Sequence, residues 1–194
     1  MRKKASAGFF YIINKWTALA FCVLFILGVL LATWEVGNIV KIVAQPEKKP
    51  IYSVDTEGMT VALGINCAWD NSDIPELLSI LEHYNVKASF FVLGSWCDQY
   101  PESVRQIAGA GHEIGSHSNS HANLTRLDKE GVLSEIRESC RKIEELTGKA
   151  PALFRPPSGA YNSEVIGLIE EEGLYPIQWD CDLIHMKTLK EKLP

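Results

Sequence analysis

The sequence predicts an α/β domain built on a parallel sheet and preceded by one transmembrane helix. Residues 16–34 read WTALAFCVLFILGVLLATW, with no charged side chain. From about Thr60, short apolar segments alternate with segments of helical periodicity, which is typical of a parallel sheet, open or closed into a barrel. The polar motifs follow the ends of the predicted strands, where α/β folds place their functional sites.

The apolar segment has the length of a membrane span. Its 19 residues would extend over roughly 28 Å as a helix, close to the ~30 Å hydrocarbon thickness of a bilayer. Residues 1–15 contain four basic and no acidic side chains, so the positive-inside rule predicts a cytoplasmic head and an extracytoplasmic main domain. The alternative is a cleaved signal peptide, but the sequence Ala32-Thr33-Trp34-Glu35 is a poor cleavage site.

Residues 35–57 have the composition of a linker, because Gln45–Pro50 is polar and interrupted by proline. The formal net charge of −5 does not indicate a nucleic-acid partner. Cys22 lies in the apolar segment, and the four remaining cysteines allow three pairings among which the sequence does not choose. Cys140 falls on the apolar face of a predicted helix and is interpreted as a buried thiol, so a disulfide framework is not favoured.

Residues 58–194 form the predicted main domain. The predicted strands, in chain order, are Thr60–Cys67, Lys87–Leu93, His112–His117, Ala152–Arg155 and Pro176–Trp179. Four helices are predicted. The first begins at a capping box formed by Asp73 and Glu76, and the second covers Pro101–Ala108. The third runs from Asp128 to just before Gly148, and the fourth covers Ser163–Glu172.

Two motifs at strand ends contain candidate functional residues. His117 and His121 lie four residues apart in a Ser/Asn-rich segment, which is consistent with metal ligands or with an ordinary polar loop. A catalytic zinc usually has three protein ligands and a water, so a third ligand would have to come from another strand end. Arg155 precedes two prolines that stiffen its loop and a glycine that relieves the turn. It would orient a carboxylate or an anion, with Asp180 and Asp182 as nearby candidates, or else be solvated.

The ordered motifs GHEIGSHSNSH, FRPPSGAYN and QWDCD, after IPELLSILEHYNVKASFFVLGSW, resemble those of NodB-type polysaccharide deacetylases, the family 4 carbohydrate esterases. The resemblance covers about residues 58–187 and is strongest to sporulation-associated, membrane-anchored members. It implies a distorted (β/α) barrel that removes N-acetyl groups from chitin-like or peptidoglycan-like glycans.

The resemblance also implies roles for individual residues. The family holds a divalent metal, usually zinc, through an aspartate and two histidines, here His117 and His121, and its arginine, here Arg155, orients an aspartate base. Asp182 is the surviving aspartate of the fourth motif and is carried over as a catalytic residue. The residues expected to contact the substrate are Pro157, Ser158, Gly159, Tyr161 and Trp179.

The chain departs from the family pattern at its first motif, because TFDDGP aligns without a gap on residues 64–69. The base position is Asn66, whose amide has no useful basicity near neutral pH. The position of the metal-binding aspartate is Cys67, which would be a thiolate ligand or, as we favour, an apolar strand residue. Asp70 or Asp73, close in sequence, would then be a substitute base.

The fourth and fifth motifs also differ. His185 and Met186 replace the second aspartate and the tryptophan of the fourth motif, and no leucine-rich strand with an acid histidine precedes Pro194. We therefore expect a barrel that is incomplete at the C-terminus, a truncated domain and an exposed sheet edge.

Two classes of function follow from these expectations. The first is a metal-dependent polysaccharide N-deacetylase that needs a divalent metal, zinc by resemblance, and whose partners are a polysaccharide and, through residues 16–34, the lipid bilayer. The second is a catalytically degenerate glycan-binding or structural protein, or a truncated inactive product. Loss of general acid or base assistance costs ~100- to 10,000-fold in rate for each group, so the altered motifs predict low activity.

Overall fold

The structure is a computed structural model that describes residues 15–43 and 47–182. The chain divides into two compact units, residues 1–46 and residues 47–194. The predicted cytoplasmic head, apart from Lys15, and the altered positions His185 and Met186 lie outside the described residues.

The described part of the first unit is a helix, α1, over Lys15–Val43. It includes the predicted apolar helix and continues nine residues beyond Trp34 into the predicted linker, since no proline interrupts the sequence before Pro46. The described side chains of this helix are exposed, including Phe21 and Phe25. The predicted helix is present. Within the described residues, no helix combines the length and the apolar character needed to cross a bilayer.

The second unit is built on a five-stranded parallel sheet with the strands in chain order. The strands are β1 (Gly64–Cys67), β2 (Ser89–Val92), β3 (Glu113–Ser116), β4 (Leu153–Phe154) and β5 (Tyr175–Pro176). The parallel α/β architecture is confirmed, although each strand is shorter than predicted. The first strand loses residues 60–63, because Val61 and Leu63 remain exposed there and bury little apolar surface.

Five α-helices accompany the sheet within residues 47–182: α2 (Ile74–His83), α3 (Gly94–Gln99), α4 (Pro101–Gly109), α5 (Lys129–Thr147) and α6 (Ser163–Glu171). The predicted capping box of α2 is wrong. Asp73 has a helical backbone (φ −88°, ψ −12°) instead of the extended conformation of a capping residue, and its side chain caps nothing. Helix α3, which was not predicted, has only six residues.

The helices pack on one face of the sheet. Phe90 and Val92 of β2 lie in one cluster with Leu81, Trp96 and Val104, and a second cluster surrounds Phe154 of β4. Side chains alternate along a strand, so the register neighbours Asn66, Phe91 and Gly115 belong to the opposite face, which we call the inner face.

Part of the predicted linker is attached to the domain. Ile51 pairs with Ile177 beyond β5, with a bond of 2.8 Å from its N–H to the Pro176 carbonyl oxygen. The Lys48 ammonium contacts the Glu170 carboxylate at 2.6 Å. Residues 48–51 therefore cover the β5 edge of the sheet.

Helix α5 has both of its predicted ends, and its start can be tested. The Asp128 carboxylate accepts a hydrogen bond of 2.9 Å from the Gly131 N–H, and Gly148 ends the helix with φ +72°. We expect Asp128→Ala to lower the free energy of unfolding by ~1 kcal/mol in urea denaturation, because one backbone N–H loses its acceptor. Asp128→Asn keeps an acceptor and should change it by much less; equal losses would contradict the capping role.

Candidate functional site

The predicted site residues meet at the carboxyl edge of the sheet. Asn66 and Cys67 end β1, His117 directly follows β3, Arg155 directly follows β4, and Trp179 lies three residues beyond β5. The parallel strands therefore bring together residues that are more than 100 positions apart in sequence.

The two histidines are neighbours. Their ring centroids are 5.2 Å apart, with ring planes at 75°. His117 is buried, with 2% of its surface exposed, and its Nδ1 lies 2.7 Å from the Arg155 carbonyl oxygen. A carbonyl oxygen can only accept, so Nδ1 carries the proton and the lone pair is on Nε2, the form in which imidazole binds metals.

Glu135 of α5 shapes the loop that carries the histidines. Its carboxylate accepts hydrogen bonds from the N–H groups of Asn119 and Ser120, at 2.9 and 2.8 Å, and from the Ser120 hydroxyl at 2.6 Å. Ser118 and His121 have positive φ angles of 73° and 64°. Sequence reasoning missed Glu135, because no local pattern distinguishes it from the other acidic residues of α5.

Burial is the main cause that lowers the pKa of His117 to about 4; the hydrogen bond to the Arg155 carbonyl opposes the shift, and the neighbouring charges of His121 and Arg155 contribute to it. Histidine in an unfolded chain has a pKa near 6.5, so between that pH and about 4 the unfolded state binds the additional proton. We therefore expect the free energy of unfolding to fall as the pH falls from about 6.5 to 4, by up to ~3 kcal/mol from this group.

Urea denaturation at several pH values measures this loss. His117→Gln should be less stable at pH 7 but should have a flatter dependence on pH, because the titrating ring is gone. An unchanged slope would contradict the assignment to His117. Asn85→Gln, at an exposed turn after α2 and without a titrating group, is the control that should keep the wild-type slope.

Arg155 is buried on the inner face, with 6% of its surface exposed. Its Nη1 donates to Asn66 Oδ1 at 3.0 Å and its Nη2 to the Gln178 carbonyl oxygen at 3.4 Å. The guanidinium carbon lies 3.8 Å from the centroid of the Phe91 ring. Burial lowers the pKa of the Arg155 side chain to about 10.

The structure shows partners for Arg155 other than the expected carboxylates. Within the described residues its guanidinium forms no ion pair, and the oxygens that it contacts belong to an amide and a backbone carbonyl. Asp180 and Asp182 follow β5, but the Gln178 carbonyl, two positions before Asp180, is the acceptor that reaches the guanidinium. The catalytic role of Asp182 stays a prediction.

Cys67 does not join the histidines. Its side chain is 5% exposed and packs in the core cluster with Ile74 and Leu81. Burial raises the pKa of its thiol to about 12, with Asp73 adding to the effect, so it is protonated at neutral pH. Among the described residues, no three His, Cys, Asp or Glu side chains are placed to hold a metal ion. The assignment of Cys67 as a metal ligand is therefore corrected, and the described residues do not fit the three-ligand site of the family.

The substitute bases Asp70 and Asp73 lie in the segment between β1 and α2. Asp70 accepts two hydrogen bonds from Ser72, which lower the pKa of its carboxyl and make it a weaker base. Both Asp70 and Asp73 line a cavity of about 280 Å³ together with Asn66, Cys67 and Trp69. Trp69 is exposed and its ring lies 6.0 Å from that of His121, so this cavity adjoins the histidine loop.

The predicted substrate-contacting residues divide into two groups. Pro157 is buried, and Gly159 accepts a bond from the Gln178 side chain and has φ +67°, so both shape the loop. Ser158 is exposed, and Tyr161 and Trp179 are half-buried, so these three can reach a ligand. The Tyr161 hydroxyl lies 3.0 Å from that of Tyr52.

Known proteins resemble the second unit. The family described as polysaccharide deacetylase matches residues 53–177. The uncharacterized protein YlxY of Bacillus subtilis is 35% identical over 72% of this chain and 43% of its own length. The peptidoglycan-N-acetylglucosamine deacetylase PgdA of Listeria monocytogenes is 39% identical over 63% of this chain and 26% of its own. The chain thus spans less than half the length of these relatives.

Solved structures give the same match. A CE4 family pseudoenzyme from Bacillus anthracis superimposes with a TM-score of 0.68 at 33% identity, over 72% of this chain and 50% of its own. The peptidoglycan deacetylase PdaC of Bacillus subtilis superimposes with a TM-score of 0.59 at 35% identity, over 66% of this chain and 61% of its own.

Proposed function

Because this chain belongs to the polysaccharide deacetylase family, we propose that it binds an N-acetylated cell-wall polysaccharide at the carboxyl edge of its sheet without removing acetyl groups efficiently. The family relatives named above include deacetylases of peptidoglycan. One structural neighbour is named a pseudoenzyme of the same family, which is consistent with a loss of catalysis.

The contact between Arg155 and Asn66 supports the noncatalytic part of the proposal most directly. At the position where the family has its aspartate base, an amide oxygen accepts a bond of 3.0 Å from the guanidinium. This amide cannot take a proton from water at neutral pH, and general base assistance contributes ~100- to 10,000-fold in rate. In the part of the chain that the structure describes, no third ligand accompanies His117 and His121, which would lower the rate further.

Exposed and half-buried aromatic groups support the binding part. Trp69, Tyr161 and Trp179 lie around the carboxyl edge, and aromatic side chains provide a large contact area with a polar group at one end. The full chain should co-sediment with insoluble N-acetylated peptidoglycan, and Trp179→Ala should reduce the bound fraction. Tyr84→Ala is the matched control, since Tyr84 is exposed at the far end of α2.

Deacetylation is the second candidate function, and the adjacent rings of His117 and His121 favour it. Acetate release, measured on the same samples as sedimentation, separates the two functions. Binding without acetate supports our proposal. Acetate release that is abolished by His117→Ala and by His121→Ala would instead establish the enzyme. If the chain neither bound peptidoglycan nor released acetate, both functions would be refuted.

We also propose that α1 associates with a membrane and that the main domain lies outside the cell. The described apolar side chains of α1, including Phe25 and Leu30, are exposed, and the basic residues precede them. Resemblance to sporulation-associated members extends the proposal to spore-forming cells. We expect the full chain to remain in the membrane fraction after a carbonate wash, and we expect protease added outside intact cells to digest the main domain. Release of the chain by carbonate, or protection of the domain from the protease, would contradict the proposal.

A further inference from the structure

The Arg155 guanidinium is a buried cation with unused hydrogen-bonding capacity. Its Nε is buried and has no hydrogen-bond partner among the described residues. Its Nη1 and Nη2 donate to an amide oxygen and, at the long distance of 3.4 Å, to a carbonyl oxygen. Neither of these two acceptors is charged, so they supply no counter-ion for the positive charge. Burying a charge without a partner is unfavourable, and an anionic ligand would offset this cost.

The guanidinium is held with its plane beside aromatic rings. The guanidinium carbon lies 3.8 Å from the centroid of the Phe91 ring and 5.6 Å from that of Trp179. Ring faces interact with the face of a guanidinium, whereas its five N–H groups point outward in its plane. Stacking therefore compensates part of the charge and leaves the in-plane donors available.

The edge of the guanidinium that carries Nη1 and Nη2 faces β1. A Cβ atom added to Gly64 would lie 2.9 Å from Nη1 and would overlap Nη2, so the absence of a side chain at position 64 makes room for the guanidinium. Gly64 and Asn66 are both exposed, so a small ligand from solvent can approach this edge. The Asn66 amide nitrogen adds a donor at the same place.

We infer that Arg155 and Asn66 form an anion site for a carboxylate, supplied by a small free acid or by an acidic sugar. A carboxylate is planar and accepts two parallel N–H bonds from a guanidinium, so it suits a flat site next to Phe91 and Trp179. The assignment of the carboxylate to an acidic sugar rests on the proposed function, because it specifies the class of glycan that the chain would bind. Binding of a small free acid does not depend on that function.

Titration of the full chain, followed by the NMR signal of the Arg155 Nε–H, tests the site. Sodium acetate should shift this signal saturably, whereas sodium chloride at equal ionic strength and acetamide, the neutral isostere, should not. Glucuronate compared with glucose identifies the acidic sugar as a source. A response to acetate alone assigns the site to free acids, and equal responses to acetate and acetamide would overturn the inference.

Two variants and one control assign the response to this site. Asn66→Asp places an internal carboxylate beside Arg155 and should weaken acetate binding by at least ~10-fold. Gly64→Ala changes no charge but displaces the guanidinium, and it should also weaken binding. Asn85→Asp adds the same charge at an exposed turn and should leave the response unchanged. Unaltered acetate binding in Asn66→Asp would overturn the inference. Acetate binding without sedimentation on peptidoglycan would refute the proposed function alone.

Discussion

The Asn66→Asp, Cys67→Asp double variant is expected to bind about one Zn²⁺ per chain and to release acetate from N-acetylated glycan ~100-fold or more faster than the wild-type chain. The first change places a carboxylate base beside the Arg155 guanidinium, which is now 3.0 Å from an amide oxygen. The second provides a carboxylate at the end of β1, at the same carboxyl edge of the sheet as His117 and His121. Zinc content after dialysis and an acetate assay measure the two effects separately.

The single variants distinguish the contributions of the two positions. Asn66→Asp alone should strengthen the contact with Arg155 but leave zinc content unchanged, whereas Cys67→Asp alone should raise zinc content with little acetate release. Asn85→Asp controls for added negative charge. Wild-type zinc content or acetate release equal to that of the double variant would show that the present residues already complete the site.

The polar motifs of the site could be located from sequence because each directly follows a strand. Asn66, His117 and Arg155 come at the ends of β1, β3 and β4, and a parallel sheet brings such ends to one edge. The ends of α5 were also evident, since an aspartate cap and a left-handed glycine are local signals.

Other features depend on contacts between residues distant in sequence. Ile51 pairs with Ile177, and Glu135 bonds to the histidine loop from a helix that begins after that loop. Spacing of residues does not encode such contacts. The same holds for Cys67, whose role depends on which face of β1 is covered by helices, and for Arg155, which contacts Phe91 instead of an aspartate.

Phe90→Ala is expected to be the most destabilising of the single substitutions considered, with a loss of ~3–5 kcal/mol in the free energy of unfolding. Phe90 is fully buried in the middle of β2, and its ring lies 5.2 Å from that of His112. The loss is a large part of the ~5–15 kcal/mol that stabilises a typical domain. Because β2 lies between β1 and β3, the same change should loosen the spacing between Asn66 and His117.

Urea denaturation followed by circular dichroism measures this loss, and two further variants are compared with Phe90→Ala. Phe90→Leu keeps most of the volume and should cost less than ~1.5 kcal/mol. Tyr175→Ala removes a ring that is 60% exposed and should change the free energy of unfolding by less than ~0.5 kcal/mol. Equal losses for Phe90→Ala and Tyr175→Ala would mean that the helix-covered face of the sheet does not supply the main stability of the domain. The arrangement of the site would then have to depend on contacts of the inner face, such as Arg155 on Phe91.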